Sequence, residues 1–237
     1  MVVIEITGRA GAGKTTLARL LSKELANLGY SSAFLSFASP LKKFLRKLGI
    51  TKSFPLEIEF ESFDLFLQDL KNSLQNFLIY HNTYIDDYEL SKYIELHKNI
   101  LEEAFYLYFK KRNYKEGFRL FAQTIGTEII RNINSSFFVS YLVNQVEKLV
   151  GIIDIVFIDD FRFPNEDLEL TYKRYDYPLF KVFKLRIKSD ENENYNHSSE
   201  SFTDTLKVHC EVVRNGNQYE PSFISLVKRL LEEIQND

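Results

Sequence analysis

Residues Gly8, Arg9, Ala10, Gly11, Ala12, Gly13, Lys14 and Thr15 fit the spacing G-x-x-x-x-G-K-[ST] without a mismatch, and Thr16 follows them. The chemistry of this pattern is the holding of phosphate. Its glycines let successive backbone N–H groups turn toward one point and form an anion-binding nest. A helix starting at its end adds partial positive charge there. Lys14 reaches the outer phosphates, and the Thr15 hydroxyl is a ligand for Mg²⁺. Far downstream, the apolar run 152–158 ends in Asp159 and Asp160. Such a strand delivers a carboxylate beside a phosphate loop, where it can hold Mg²⁺ or a substrate hydroxyl. Either aspartate fits that role. Asp160 is expected to be a catalytic group and, with Thr15, a metal ligand.

Arg162 and Glu166 come next. Arg162 can clamp a phosphate bidentately. A local ion pair between the two at i, i+4 is the plainer reading. Arg119, Gln123, Thr127 and Arg131 recur every four residues and form a slowly drifting polar stripe on a helix. Gly126 interrupts that helix at a cost of about 1 kcal/mol relative to Ala, which calls for a reason such as close approach of a ligand to the backbone. Phe121, Ile125 and Ile129 would then face the core; an ordinary solvated face is the plain alternative for the stripe. His197 and Glu200 lack a Cys or His partner at zinc spacing, so no zinc site is expected.

These residues need elements to position them. The β-branched run Val2, Val3, Ile4, Glu5, Ile6 reads as a buried parallel strand entering the glycine loop. Leu17, Leu20, Leu21, Leu25 and Leu28 recur at helical spacing, and Gly29 is a stop. A second strand is predicted at 33–37. Ser39 then reads as an N-cap and Pro40 as the first helical residue. Residues 56–135 look helical: Phe60, Phe63, Leu67, Leu70, Leu74 and Phe77 mark one face, and Tyr93, Ile94, Ile100, Leu101, Ala104, Phe105 and Tyr108 a second helix, with a polar turn at 80–87. Strands are predicted at 179–187 and 208–214, and a final amphipathic helix through Ile224, Val227, Leu230, Leu231 and Ile234. The polar loop 189–199 is a candidate lid, since a site that transfers phosphate must exclude water. The alternation argues an α/β fold with a parallel sheet covered by helices on both faces. It reads as a single domain, 1–237, carrying a helical insertion over about 52–135.

The net charge of −3 lacks the basic excess of a protein built to grip duplex phosphates, so nucleic acid is not an expected partner. A single cysteine, Cys210, excludes an intramolecular disulfide and agrees with a reducing compartment, so a cytoplasmic location is expected. The N-terminal apolar run is too short for a signal peptide, and no run is long enough to cross a membrane. A homodimer is left open.

Taken in order behind the phosphate loop, several segments resemble one family. They are Ser36-Phe37-Ala38-Ser39-Pro40-Leu41-Lys42; Arg119, Gln123 and Gly126-Thr127-Glu128; Asp160-Phe161-Arg162-Phe163-Pro164-Asn165-Glu166; and His197-Ser198-Ser199-Glu200, with the Val213-Arg214-Asn215-Gly216 turn behind them. Together they resemble the deoxynucleoside monophosphate kinases of bacteriophages, over most of the chain apart from roughly 51–116. The resemblance implies a P-loop kinase fold, ATP as donor, Mg²⁺, and a deoxynucleoside monophosphate as acceptor. It implies ATP contacts from Gly8, Arg9, Gly11, Ala12, Gly13, Lys14, Thr15 and Thr16. It also implies that Leu41 and Lys42 flank the acceptor, that Arg119, Gln123, Gly126 and Thr127 line its pocket, that Phe138 stacks near its base, and that Asp160, Arg162 and Glu166 complete the site. Family loops often carry more basic residues between the glycines and an Asp after the lysine. Here Ala10, Gly11 and Thr15 stand there, with Arg9 the only added charge, which makes this a more general phosphate loop. Another small phosphorylated metabolite as acceptor stays open. A GTP-dependent switch would usually carry an N/T-K-x-D motif, which this chain lacks, and a polynucleotide-end kinase fits poorly with the acidic net charge.

Overall fold

The computed structural model describes residues 1–54, 60–169, 179–189, 202–215, 218–220 and 223–235. Its strands are β1 (Val2–Thr7), β2 (Ser32–Leu35), β3 (Ile155–Ile158), β4 (Lys181–Ser189), β5 (Cys210–Asn215) and β6 (Gln218–Glu220). They form one sheet in the order β2-β3-β1-β4-β5-β6. The first five are parallel and β6 returns antiparallel on β5. The protein is therefore α/β, with β1 at the centre of the parallel part.

The chain divides into two compact units, 1–37 with 142–237, and 38–141. In the first, β1 alternates. Val2, Ile4 and Ile6 join Ile155, Phe157, Phe183, Leu185 and Val212 on one face of the sheet. Against them pack Leu17, Leu21 and Leu25 of α1 (Lys14–Asn27) and Leu226 and Leu230 of the C-terminal helix Phe223–Gln235. Each fully buried leucine contributes about 1.5–3 kcal/mol. The opposite face holds Glu5 and Thr7 of β1 and Lys184 and Arg186 of β4, all buried. On this second face Leu168 donates its N–H to Glu5, and the carbonyls of Thr203 and Leu206 accept from Arg186. Buried charges need polar partners, and these backbone groups supply them.

Local differences have physical causes. The strand expected from 152 begins at Ile155, because the Asp154 carboxylate turns back to accept from the Ser31 N–H and hydroxyl, and Ile152 is left exposed. Those two bonds also hold the Asp154 carboxyl below its usual pKa. The helix after β2 starts at Ser39 itself, with Ala38 as its N-cap.

The second unit is helical: α2 (Ser39–Lys47), α3 (Phe63–Tyr80), α4 (Asp87–Leu96), α5 (Lys98–Phe105), α6 (Tyr114–Gln123), α7 (Arg131–Ile133) and the start of α8 (Phe137–Glu147). We number the C-terminal helix α9. This unit is wider than the insertion expected at 52–135, since it takes in α2. Ser62 caps α3 by accepting from the Leu65 N–H, which leaves Phe60 outside the helix. The fully buried stripe of α3 is Phe66, Leu70, Leu74 and Leu78; Phe63, Leu67 and Phe77 flank it. A π-helical stretch, Thr124–Ile130, joins α6 to α7. Phe121, Ile125 and Ile129 face the core there, as their spacing predicts.

Candidate active site

The loop between β1 and α1 is shaped by its glycines. Gly8, Gly11 and Gly13 have φ of 143°, 78° and 94°. A Cβ on Gly8 would lie 2.4 Å from the Ile187 carbonyl oxygen of β4, so no side chain fits between loop and sheet. Gly13 is the N-cap of α1 and has no side chain to satisfy the first-turn amides, which are thereby left for an anion. The Lys14 ammonium folds back over the loop, donating to the carbonyls of Gly8 at 2.6 Å and Arg9 at 2.8 Å. Arg9 forms an exposed pair with Asp204, its Nε and Nη2 reaching one carboxylate oxygen at 3.2 and 2.7 Å. Thr15 and Thr16 are exposed and Ala12 is buried.

At the end of β3 the two aspartates separate. The Thr15 hydroxyl donates a short bond to Asp159. Asp160 instead accepts from the Ser36 hydroxyl at 2.6 Å and the Phe37 N–H at 2.9 Å. The residue beside the loop threonine is thus Asp159, and Asp160 ties the end of β3 to the chain leaving β2. Strand pleating explains the split, since successive side chains point to opposite sides. Of the two aspartates, Asp159 is the one that contacts Thr15.

Arg162 and Glu166 meet through backbone. One Glu166 oxygen, buried, accepts the N–H of Arg162 at 2.8 Å and of Phe163 at 3.0 Å. Glu166 therefore shapes the loop that presents Arg162. Beneath it, Asp167 and Glu169 pair with the Lys184 ammonium at 2.8 and 2.6 Å. Burial would lower the Lys184 pKa, but those two bonds outweigh it and raise it. Glu5, next to Lys184 in register, is fully buried. Its Oε1 accepts from Leu168, while Oε2 has no hydrogen-bond partner among the described residues. Burial, with the Asp167 charge nearby, holds its carboxyl well above the usual pKa.

The residues of the helical unit divide. Leu41, Gly126 and Phe138 come together: a Cβ on Gly126 would sit 2.6 Å from Leu41 Cδ2 and 3.9 Å from the Phe138 ring. The Leu41 side chain lies directly against Gly126, and both neighbours are buried. Arg131 lays its guanidinium 4.8 Å from the centre of the Phe138 ring. It belonged to the sequence stripe but received no role there. Arg119 lies on the exposed face, its Nε and Nη2 on Glu116 at 3.2 and 2.6 Å, the i, i+3 pair of a helix surface. Gln123 and Thr127 are half-buried and Lys42 is exposed.

Two contacts at the loop had no sequence signal, because they join distant segments: Asp204 to Arg9, and Arg214, at the end of β5, to the Gly11 carbonyl at 3.3 Å. His197, Ser198, Ser199, Glu200, the candidate lid after Ser189 and Gly216 lie outside the described residues. Among the described residues no helix is long and apolar enough to cross a membrane. No protein-family model matches the chain, and no curated protein matches it.

Proposed function

We propose that the protein is a phosphotransferase that moves the γ-phosphate of ATP to a deoxynucleoside monophosphate, forming the diphosphate. The observation that carries this reading is the Thr15–Asp159 hydrogen bond at the start of α1. It joins a phosphate loop to an acid at the end of the neighbouring parallel strand, at the sheet edge where open α/β folds bind ligands. In this reading the loop amides and the α1 N-terminus hold the donor phosphates. Lys14 exchanges its loop carbonyls for phosphate oxygens. Thr15 and Asp159 form the hard-oxygen pair that suits Mg²⁺, and the bound ion would neutralise and orient the phosphates.

Asp160 anchors the end of β3, and Glu166 fixes the turn from which Arg162 meets transferred charge. The acceptor residues implied by the resemblance include Leu41, Lys42, Arg119, Gln123, Gly126, Thr127 and Phe138. Leu41, Gly126 and Phe138 form buried packing in the helical unit, so their part is to shape a wall. Arg119, Gln123, Thr127 and Lys42 supply polar groups. Little covalent chemistry is asked of such residues, because phosphoryl transfer depends on positioning and charge.

A coupled assay of ADP formation, run with ATP, Mg²⁺ and a panel of deoxy- and ribonucleoside monophosphates, tests the assignment. Acceleration by at least one deoxynucleoside monophosphate is expected. If none accelerates ADP formation, the acceptor class is wrong.

A further inference from the structure

The segment 202–206 is fixed at its base and exchangeable at its tip. The base is Arg186, on β4 and 8% exposed. It donates Nε to the Thr203 carbonyl at 3.1 Å and Nη2 to the Leu206 carbonyl, and its Nη1 pairs with Glu211. Thr203 and Leu206 are themselves buried. Phe202 adds a ring contact to Phe163, 6.0 Å between centres. Between these anchors Asp204 reaches Arg9 of the phosphate loop, and here both side chains are half in water, 49% and 48% exposed. A rigid base thus presents a carboxylate to the loop through a pair weak enough to exchange.

The partner chosen is informative. A guanidinium matches two anions especially well, carboxylate and phosphate, and uses the same N–H groups for both. Arg9 is the only charged residue that the phosphate loop adds to Lys14. Lys14 also rests on loop carbonyls that a phosphate would replace. Each cation of the loop is thus held by a stand-in.

We propose that Asp204 is an internal competitor of the donor triphosphate for Arg9, which rests on the ATP-binding reading above. Donor phosphates displace the Asp204 carboxylate from Arg9, and the like charges drive Asp204 away from the filled loop. When the nucleoside diphosphate leaves, Asp204 takes Arg9 back. Asp204 thereby sets donor affinity below what the loop alone would give, and favours product release.

The test measures binding of MgATP and of inorganic tripolyphosphate by calorimetry to the full chain and to Asp204→Asn. The variant is expected to bind both anions about two- to fivefold more tightly, the worth of one exposed ion pair. The gain should shrink at high salt and be absent in an Arg9→Gln background. Thermal melts should show Asp204→Asn folded, since the side chain is exposed; Asp204→Ser gives a second reading should the first variant melt early. Equal or weaker binding by folded Asp204 variants overturns the proposal and leaves the kinase reading standing, because Asp204 would then only orient Arg9. If the wild-type chain binds neither anion, both fall.

Discussion

Thr15 and Asp159, 144 positions apart in sequence, are joined by a hydrogen bond from hydroxyl to carboxylate, while Asp160 turns away to Ser36 and Phe37. One position along the chain thus separates an acid beside the phosphate loop from one that ties two strand ends together.

The first prediction follows from that division. Asp159→Asn should lower Mg²⁺-dependent turnover on the order of a hundredfold or more while leaving the melting temperature nearly unchanged. Asp160→Ala leaves the Ser36 hydroxyl and the Phe37 N–H without their acceptor, so it should lose about 1–3 kcal/mol of stability. Turnover against Mg²⁺ concentration and thermal melts of both variants check this. The reverse pattern would assign the metal role to Asp160.

Gly126→Ala should destabilise the helical unit by about 1–3 kcal/mol, since the added methyl meets Leu41 Cδ2 at 2.6 Å. Adding Leu41→Ala should return part of the loss. Denaturant melts of the single and double variants decide it, and full additivity would contradict the packing.

How much of this was legible in the sequence varies with range. The phosphate loop could be read because its chemistry dictates residue types at fixed spacing. β1 and β3 could be read because strands in a parallel sheet are apolar for most of their length. Glu5 breaks that run, and only the fold shows why it is tolerated: Leu168 bonds one oxygen and Lys184 lies beside it in register. β6 carries no apolar signal and exists through its backbone pairing with β5. Gly126 was visible as an interruption, but the side chain packed against it lies on α2, far away in sequence. Arg119 sat in a ligand stripe by its spacing, and its pairing with Glu116, one helical turn back, is seen only in the fold. The choice between Asp159 and Asp160 turns on the pleat at a strand end, to which composition is blind.

Arginine substitutions separate binding from architecture. Arg162→Ala and Arg119→Ala should each raise the acceptor KM far more than the ATP KM. Lysine should rescue only part of the loss, because the planar fork is gone. The Arg119–Glu116 pair is exposed, so its stability cost should stay below about 1 kcal/mol. Lower melting temperatures with normal kinetics would give both arginines a structural role instead.

Glu5 sets a pH dependence with a definite sign. Its folded pKa is raised above the ordinary 4.5. Below that value both states hold the proton; above it the unfolded chain releases a proton that the folded chain keeps. Stability from this group is therefore lost as pH rises from about 4.5 toward the folded pKa. Glu211, held low by Lys188 and Arg186, and Asp154, held low by Ser31, act in the opposite sense at lower pH. His81 and His209, lowered chiefly by burial, also oppose Glu5 below pH 6.5. The difference in unfolding free energy between wild type and Glu5→Gln isolates the term. It should move in favour of Glu5→Gln as pH rises above 4.5, and a pH-independent difference would contradict the raised carboxyl pKa.

The most direct measurement follows the phosphate itself. Wild-type protein and Lys14→Ala are incubated with ATP labelled in the γ-phosphate, Mg²⁺ and each deoxynucleoside monophosphate, and the products are separated. The account predicts label in a deoxynucleoside diphosphate for wild type, its loss on adding EDTA, and none above background for a folded Lys14→Ala. Label that passes only to water, or transfer that survives in folded Lys14→Ala, would contradict it.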